Sequence, residues 1–548
     1  MTLRILCSCR SIVRNGAGTR HASIATARKR SRPADDYPGW QPTIGVELHV
    51  QLKGNHKLFS SAYYPQTDDD ALPNSHVALL DAAIPGTLPV VQPRPVRLAL
   101  LACLAFNCDI NRNSTFDRKH YFYPDQPVGY QITQKYHPLA TGGAIDISTS
   151  DDETHRVRLE QVQLEQDTAK SFHDPSISGT LIDLNRAGTA LIEIVTRPDL
   201  RTAQEAATFV KSIQAILRHV GASSANMDRG ELRCDVNVSV RRTSESGDTT
   251  PGTRCEIKNL NGIKFITGAI NSEISRQIDL LSADKPVIQS TRGYDPVTGS
   301  TFHLRSKEDA PDYRYFPDPE LGSLAISSEQ LERLRNELPE LPEAAFERLQ
   351  SEYKLTPRDA RILVALGEGI SQEQGEPQIE DQEIGSASIG VTYFERVAQG
   401  RDPKIAANWV IHELLGQLTK TGFNLVTNPI EPEQLGHLID AVSKNRLTGT
   451  NAKSLLREYL SSFTGTSSPV PFSTHLSQIL SSIPEPPSND TFTPIVERVI
   501  ETHPNEVDKI RKGNIKVIMR LVGQVMKESQ GKADAKWVRQ ELENRLLQ

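Results

Sequence analysis

The chain has 548 residues, of which 37% are hydrophobic and 24% charged, with a formal net charge of −6. That length exceeds what one hydrophobic core organises, so two or three domains are expected. The composition excludes a fibrous or wholly disordered chain. The best apolar run, Leu98 to Phe106, is about half of the roughly 20 residues a membrane span requires, so no membrane span is expected.

The first 34 residues carry Arg4, Arg10, Arg14, Arg20, Arg28, Lys29, Arg30 and Arg32, and the first acid is Asp35. An acid-free N-terminus of Arg, Ser, Thr and Ala reads as a mitochondrial transit peptide over 1–34. A basic nucleic-acid-binding arm is the competing reading; the lack of aromatics disfavours it. Taking these eight positive charges from the net of −6 leaves −14 for residues 35–548. Contact with nucleic acid must then be local. Beyond the leader stand Cys103, Cys108, Cys234 and Cys255, with no CxxC pair. That pattern suits a reduced compartment and argues against structural zinc.

From Thr43 to about Gly322 the chain alternates apolar and polar residues between Gly/Asn/Pro turns, which predicts a β-rich domain with inserted helices. Ile44, Val46, Leu48, Val50 and Leu52 share one strand face, and Gly45, Glu47, His49 and Gln51 the other. Residues two apart on a strand project the same way, about 7 Å apart at the backbone. Glu47 and His49 can therefore hold one cation or act as acid and base; a solvated polar stripe is the commoner use of such a pair.

The segment 160–173 contributes Glu160, Glu165, Asp167, Lys170 and His173. Clustered carboxylates repel unless a cation sits among them, and a solvated charge run weighs equally. In LIDLNRAGTALIEIVT, Leu181 to Thr196, two β-type runs flank Ala187-Gly188, which predicts a hairpin. Asp183 and Glu193 are embedded in its branched runs, while Asn185 and Arg186 sit at the turn, where they could reach a phosphate. An acid in such a run faces water or is compensated by a metal or hydrogen bonds.

Thr202 and Glu205 form a capping box for a helix that Gly221 ends. A second hairpin is predicted from the alternation of Leu232 to Val240 and of Arg254 to Lys258. Its polar faces offer Arg233, Asp235, Asn237, Glu256 and Lys258; Cys234 and Cys255 fall on the apolar faces, where burial is expected. Two stretches interleave bases with aromatics: Phe116 to Gln131, with Arg118, Lys119, Tyr121, Phe122, Tyr123 and Tyr130, and Arg305 to Pro319, with Arg305, Lys307, Arg314, Tyr313, Tyr315 and Phe316. Such mixtures suit a nucleotide or an RNA end, although a tyrosine core with snorkelling bases explains each about as well. No GxxxxGK[ST] or GxGxxG occurs. If ATP is used, a sheet with carboxylate-bound Mg²⁺ must hold it.

From Ser327 charged helical segments follow, broken by Pro339, Pro342 and Pro357. Residues 368–386 are Gln/Glu/Gly-rich and read as a disordered insertion. After Pro403, Asn408, Trp409, Ile411, Leu414 and Leu415 suggest a buried helical face. Ser461 to Ser488 is a Ser/Pro-rich interruption, and Lys509 to Gln548 holds ten Lys/Arg against four Asp/Glu.

The strings IGVELHVQL, FDRKHYFYPDQPVGYQ, LEQDTAK, LIDLNRAGTALIEIVTRPD, LRCDVNVSV, EIKNLN and DYRYFPDP, in this order, followed by AANWVIHEL and LVGQVMKESQGKAD, closely resemble the B subunits of the tRNA-dependent amidotransferases of glutamyl-tRNA(Gln) and aspartyl-tRNA(Asn). The resemblance covers most of the chain beyond the leader. It implies an α+β fold: a cradle domain over 38–326 with an antiparallel sheet of glutamine-synthetase/guanido-kinase type, a helical connector over 327–402, and an all-α YqeY-like tRNA-binding tail over 403–548. It implies a mitochondrial-matrix ligase that converts misacylated Glu-tRNA(Gln) to Gln-tRNA(Gln) with ATP and Mg²⁺, within a hetero-oligomer containing an amidase subunit that supplies ammonia from glutamine and a small accessory subunit.

By the same resemblance Glu47, His49, Glu165 and Glu193 are the catalytic metal ligands. Asp167, Lys170, Arg186, Arg233, Asp235, Glu256, Lys258, Arg305 and Arg314 are the candidates for phosphate, nucleotide or substrate contact. Some family members carry Cys near the position of Ser60; with Ser there, no zinc is expected. The family often has two consecutive acids where this chain has Glu165-Gln166. Two other functions compete with the ligase: a non-catalytic tRNA-binding scaffold, for which clustered acids have no use, and a metal-dependent hydrolase that needs no ATP.

Overall fold

The strand Trp40–Gln51 buries a side chain at every second position, with Ile44, Val46, Leu48 and Val50 facing inward. This alternation leaves Glu47, His49 and Gln51 together on the opposite face. The structure, a computed structural model, describes residues 37–63, 71–148, 154–174, 176–177, 179–243, 252–306, 312–366, 389–444, 446–463, 471–482, 492–511, 517–529, 533 and 535–546. The basic leader, Lys307 and the Gln/Glu-rich insertion lie outside them.

Trp40–Gln51 sits inside a ten-stranded sheet. On one side lies Leu232–Arg242, followed outward by Cys255–Leu260, Ser290–Asp295 and Ser300–Ser306. On the other lie Ala190–Thr196 and Thr154–Gln166, then Ala140–Thr141 and Asp109–Ile110, with Ala144–Ser148 also on Thr154–Gln166. The expected antiparallel sheet needs one correction: Cys255–Leu260 and Ser290–Asp295 run parallel. Parallel neighbours need a long crossover, and the helix Ile263–Ser282 supplies it. That helix, with Pro93–Ala105 and Ala203–His219, shares one core with the apolar sheet face. The cap of Ala203–His219 is the expected one, since Thr202 Oγ1 accepts from Glu205 N and Glu205 reaches back to Thr202 N.

The hairpin expected across Ala187-Gly188 does not form. Thr180–Asp183 pairs instead with Lys170–His173 in a separate ribbon, and Ala190–Thr196 joins the main sheet. Asp183 turns away from the sheet face and accepts from the backbone N–H groups of Asn74 and Asn185. The second predicted hairpin does form, with Asn237 opposite Glu256 and Val236 opposite Ile257. Cys234 and Cys255 are buried in it, and burial pushes both thiols up, which leaves them inert.

A three-stranded sheet of Asp117–His120, Tyr130–Thr133 and Phe316–Pro317 packs beside Thr154–Gln166. Gln134 Oε1 accepts from Leu164 N, and Gln131 Nε2 donates to Gln166 O. After Leu324–Ala325 every described element is a helix. Leu331 and Leu334 still belong to the first core; a second core runs from Ala345 to Leu476, and a third gathers Phe492 to Leu546. Within the second, Trp409, Ile411 and Leu414 are buried as expected, whereas Asn408 is exposed. The widened π-turn Trp409–Leu414 also turns Val410 inward. No helix among the described residues is long and apolar enough to cross a membrane.

Candidate active site

Strand register assembles the site. His49 lies opposite Glu193 on one neighbour and opposite Arg233 on the other, and Glu47 lies opposite Asp235. Glu193 is in turn opposite Gln163, two residues before Glu165. Glu47, His49, Glu165, Glu193 and Asp235 therefore meet on one polar face. His49 Nε2 is 3.3 Å from Glu47 Oε1, and His49 Nδ1 is 4.0 Å from Glu165 Oε1.

Two overlapping groups, Glu47/His49/Asp235 and His49/Glu165/Glu193, each keep one donor atom per residue within 4.8 Å of the others. Glu165 Oε1 accepts from Gln131 at 2.7 Å, while Glu165 Oε2 is buried with no hydrogen-bond partner among the described residues. Hard carboxylate oxygens and one imidazole, with one oxygen left over, fit a divalent cation such as Mg²⁺ or Mn²⁺.

The charges are mutually dependent. Burial opposes ionisation of Glu47, but His49, Lys258 and Lys119 overcome it and bring the carboxyl down to about 2. Burial also opposes the His49 cation, yet Glu47, Glu193 and Glu165 raise it to about 9. Burial and then the Glu165 charge push Glu193 up to about 7. Without a cation, the folded chain thus keeps protons on Glu193 and His49 that the unfolded chain has released. Stability from those two groups is full at acid pH and falls as pH rises through about 7 and about 9; the Glu47 contribution has the opposite sign and is lost as pH falls from 4.5 to about 2. Mn²⁺ is accordingly expected to raise the melting temperature of the purified chain more at pH 8.5 than at pH 6, measured against a chelator control. Equal protection at both pH values would place the cation elsewhere.

A second group of charges flanks the first. Arg233 Nη2 is 2.8 Å from Asp167 Oδ2, and Arg186 Nε is 3.5 Å from the same oxygen. Arg186 also donates to Thr168 O and Ala169 O. Lys258 bridges Asp235 at 2.7 Å and Glu256 at 3.1 Å. Three expected contact residues lie apart from this pattern. Lys170 is on the exposed ribbon, its ammonium over the Phe172 ring. Arg305 is on the outer strand opposite Thr291, and Arg314 is exposed beside Asp312.

Sequence reasoning passed over Gln131 and Gln163, which hold Glu165 and Glu193. It also left Lys119 out of the charge network. Gln163 shares the strand face of Glu165 by alternation; nothing in the spacing of Gln131 or Lys119 marks them, because they arrive from the smaller sheet.

A large sheet with a carboxylate–imidazole face and cationic flanks is followed by an all-helical region. Residues 42–332 match the GatB/GatE catalytic domain and residues 392–546 the GatB domain. The chain belongs to the GatB family. Among mitochondrial glutamyl-tRNA(Gln) amidotransferase B subunits, it is 42% identical to that of Mycosarcoma maydis, covering 92% of this chain and 85% of that one. It is 43% identical to that of Laccaria bicolor over 96% and 97% of the two chains. Among aspartyl/glutamyl-tRNA(Asn/Gln) amidotransferase B subunits, the identity to that of Methylobacterium sp. is 42%, over 90% of this chain and 94% of the relative.

Proposed function

We propose that this chain is the ATP-using component of a mitochondrial-matrix amidotransferase that converts Glu-tRNA(Gln) to Gln-tRNA(Gln). The observation that carries the reading is the convergence of Glu47, His49, Glu165 and Glu193 on one sheet face, with a buried carboxylate oxygen unmatched among the described residues. A divalent cation held there would neutralise phosphate oxygens and draw them to the face.

The chemistry demands such a site. A carboxylate does not accept ammonia, because oxide is a prohibitive leaving group. The tRNA-bound glutamate carboxylate attacks the γ-phosphorus of ATP and ADP leaves; ammonia then attacks the acyl carbon and phosphate leaves. The protein supplies position and charge. Arg233 and Arg186, held at Asp167, and Lys258, held at Asp235 and Glu256, are the cations we assign to phosphate oxygens. The ammonia is assigned to a partner amidase, with a small accessory protein to brace the pair. The sheet supports a cradle of glutamine-synthetase/guanido-kinase type over 38–326. A connector over 327–402 and a YqeY-like tRNA-binding tail over 403–548 complete the proposed organisation, although the second core draws on both sides of position 402.

Release of ADP and phosphate by the reconstituted complex, dependent on glutamyl-tRNA, tests the proposal. A scaffold would release none, and a hydrolase would act without ATP. The tail gives a second test. Because residues from Phe492 to Leu546 share a core of their own, truncation should remove that core whole rather than cut its helices at Lys509. The truncated chain is expected to bind tRNA about tenfold or more weakly and with a shallower salt dependence. An unchanged affinity and slope across a salt titration would refute the tail's role.

A further inference from the structure

Beside the acid cluster runs a row of rings that the phosphoryl chemistry does not use. His120 N donates to Tyr313 O at 2.9 Å and Phe316 lies opposite Arg118, so two distant segments run side by side. Across them Tyr123, Tyr121, Tyr313 and Tyr315 make successive ring contacts, with centroids 5.7, 6.4 and 6.1 Å apart. Lys119 Nζ lies 5.0 Å from the Tyr313 ring centre and Lys135 Nζ 5.6 Å from that of Tyr315.

The inner end of the row meets the cluster through the smaller sheet: Lys119, whose ammonium lies at the Tyr313 ring, is opposite Gln131, and Gln131 Nε2 donates to Glu165 Oε1 at 2.7 Å. The outer end is open: Phe122 is 86% exposed and Tyr123 56%.

Aromatic bodies are costly to leave in water and mark contact surfaces when they gather. A row of rings with ammonium groups against its two inner members matches a single-stranded nucleic acid, whose bases stack on the rings while its phosphates meet the cations. ATP brings one base and would occupy one part of the row. A row that leads from solvent to the reaction centre suits a polymer entering by its end. We infer that these rings seat the unpaired 3′ end of the aminoacylated RNA, with its last bases on Phe122, Tyr123 and Tyr121 while the esterified glutamate reaches the acid cluster. The inference rests on the function proposed above.

The test uses the complex reconstituted with its amidase partner. Phe122→Ala and Tyr123→Ala are each expected to raise KM for glutamyl-tRNA about tenfold and to leave KM for ATP within twofold, with Tyr123→Phe restoring the parent value. A tRNA carrying 2-aminopurine at its 3′ terminus should lose fluorescence on binding the parent complex and keep it with Tyr123→Ala. A rise in the ATP KM instead would assign the rings to the nucleotide, and unchanged constants with unchanged quenching would overturn the seat altogether. Quenching needs no turnover, so it decides the matter even if the parent complex fails to couple ATP to amidation.

Discussion

Glu193→Gln is expected to lower amidation and glutamyl-tRNA-dependent ADP release together by about 10²–10³-fold, with tRNA affinity and melting temperature little changed. The substitution is nearly isosteric and keeps an oxygen that can accept from Gln163, which donates to Glu193 Oε2 at 2.6 Å in the parent. What disappears is one negative charge from the group shared with His49 and Glu165. Charge is what a cation needs from that position, and cation placement acts on the transition state more than on RNA binding. Loss of kcat in parallel for both products, with KM for tRNA held, would match the assignment. Full activity would remove Glu193 from the site.

Asp81→Ala is expected to destabilise the chain by about 3–5 kcal/mol, read from the midpoint of urea unfolding. Lys57 is completely buried, and its ammonium is satisfied by Asp81 Oδ2 at 2.8 Å and Leu184 O at 3.0 Å. Burial already pulls its pKa down, with Asp81 opposing. The same carboxylate accepts from Ser60 Oγ and Ala78 N, and removing it takes a partner from both and leaves the Lys57 cation with Leu184 O and no counter-charge at its ammonium. Replacing both partners, as in Lys57→Met with Asp81→Leu, is expected to recover most of the loss, because no buried charge then remains. Equal losses in the single and double variants would show that packing, not charge, sets the cost.

The central strand was legible because alternation alone separates its two faces, and so was the Thr202 cap, whose hydrogen bonds span only three residues. The partner of Glu47 on the next strand was not. Asp235 stood among the second-tier contacts, yet the register sets it directly opposite Glu47; register across strands so distant in sequence leaves no local trace. The failed hairpin at Ala187-Gly188 has the same origin. Each run has strand character, but the competing neighbours Trp40–Gln51 and Thr154–Gln166 offer Ala190–Thr196 two buried ladders instead of one exposed one. Lys57 and Asp81 gave no signal because neither sits in a patterned segment.

The sheet order has a temporal consequence. Trp40–Gln51 takes its hydrogen-bonded neighbours from Ala190–Thr196 and Leu232–Arg242, each more than a hundred positions downstream. Pairings of such long range close slowly. A chain emerging from its ribosome therefore cannot set Glu193 beside His49 until Ala190–Thr196 has arrived, nor Asp235 beside Glu47 until Leu232–Arg242 has. A nascent chain shorter than that carries Glu47 and His49 without the acids that face them, so any use of the set waits on its last strand.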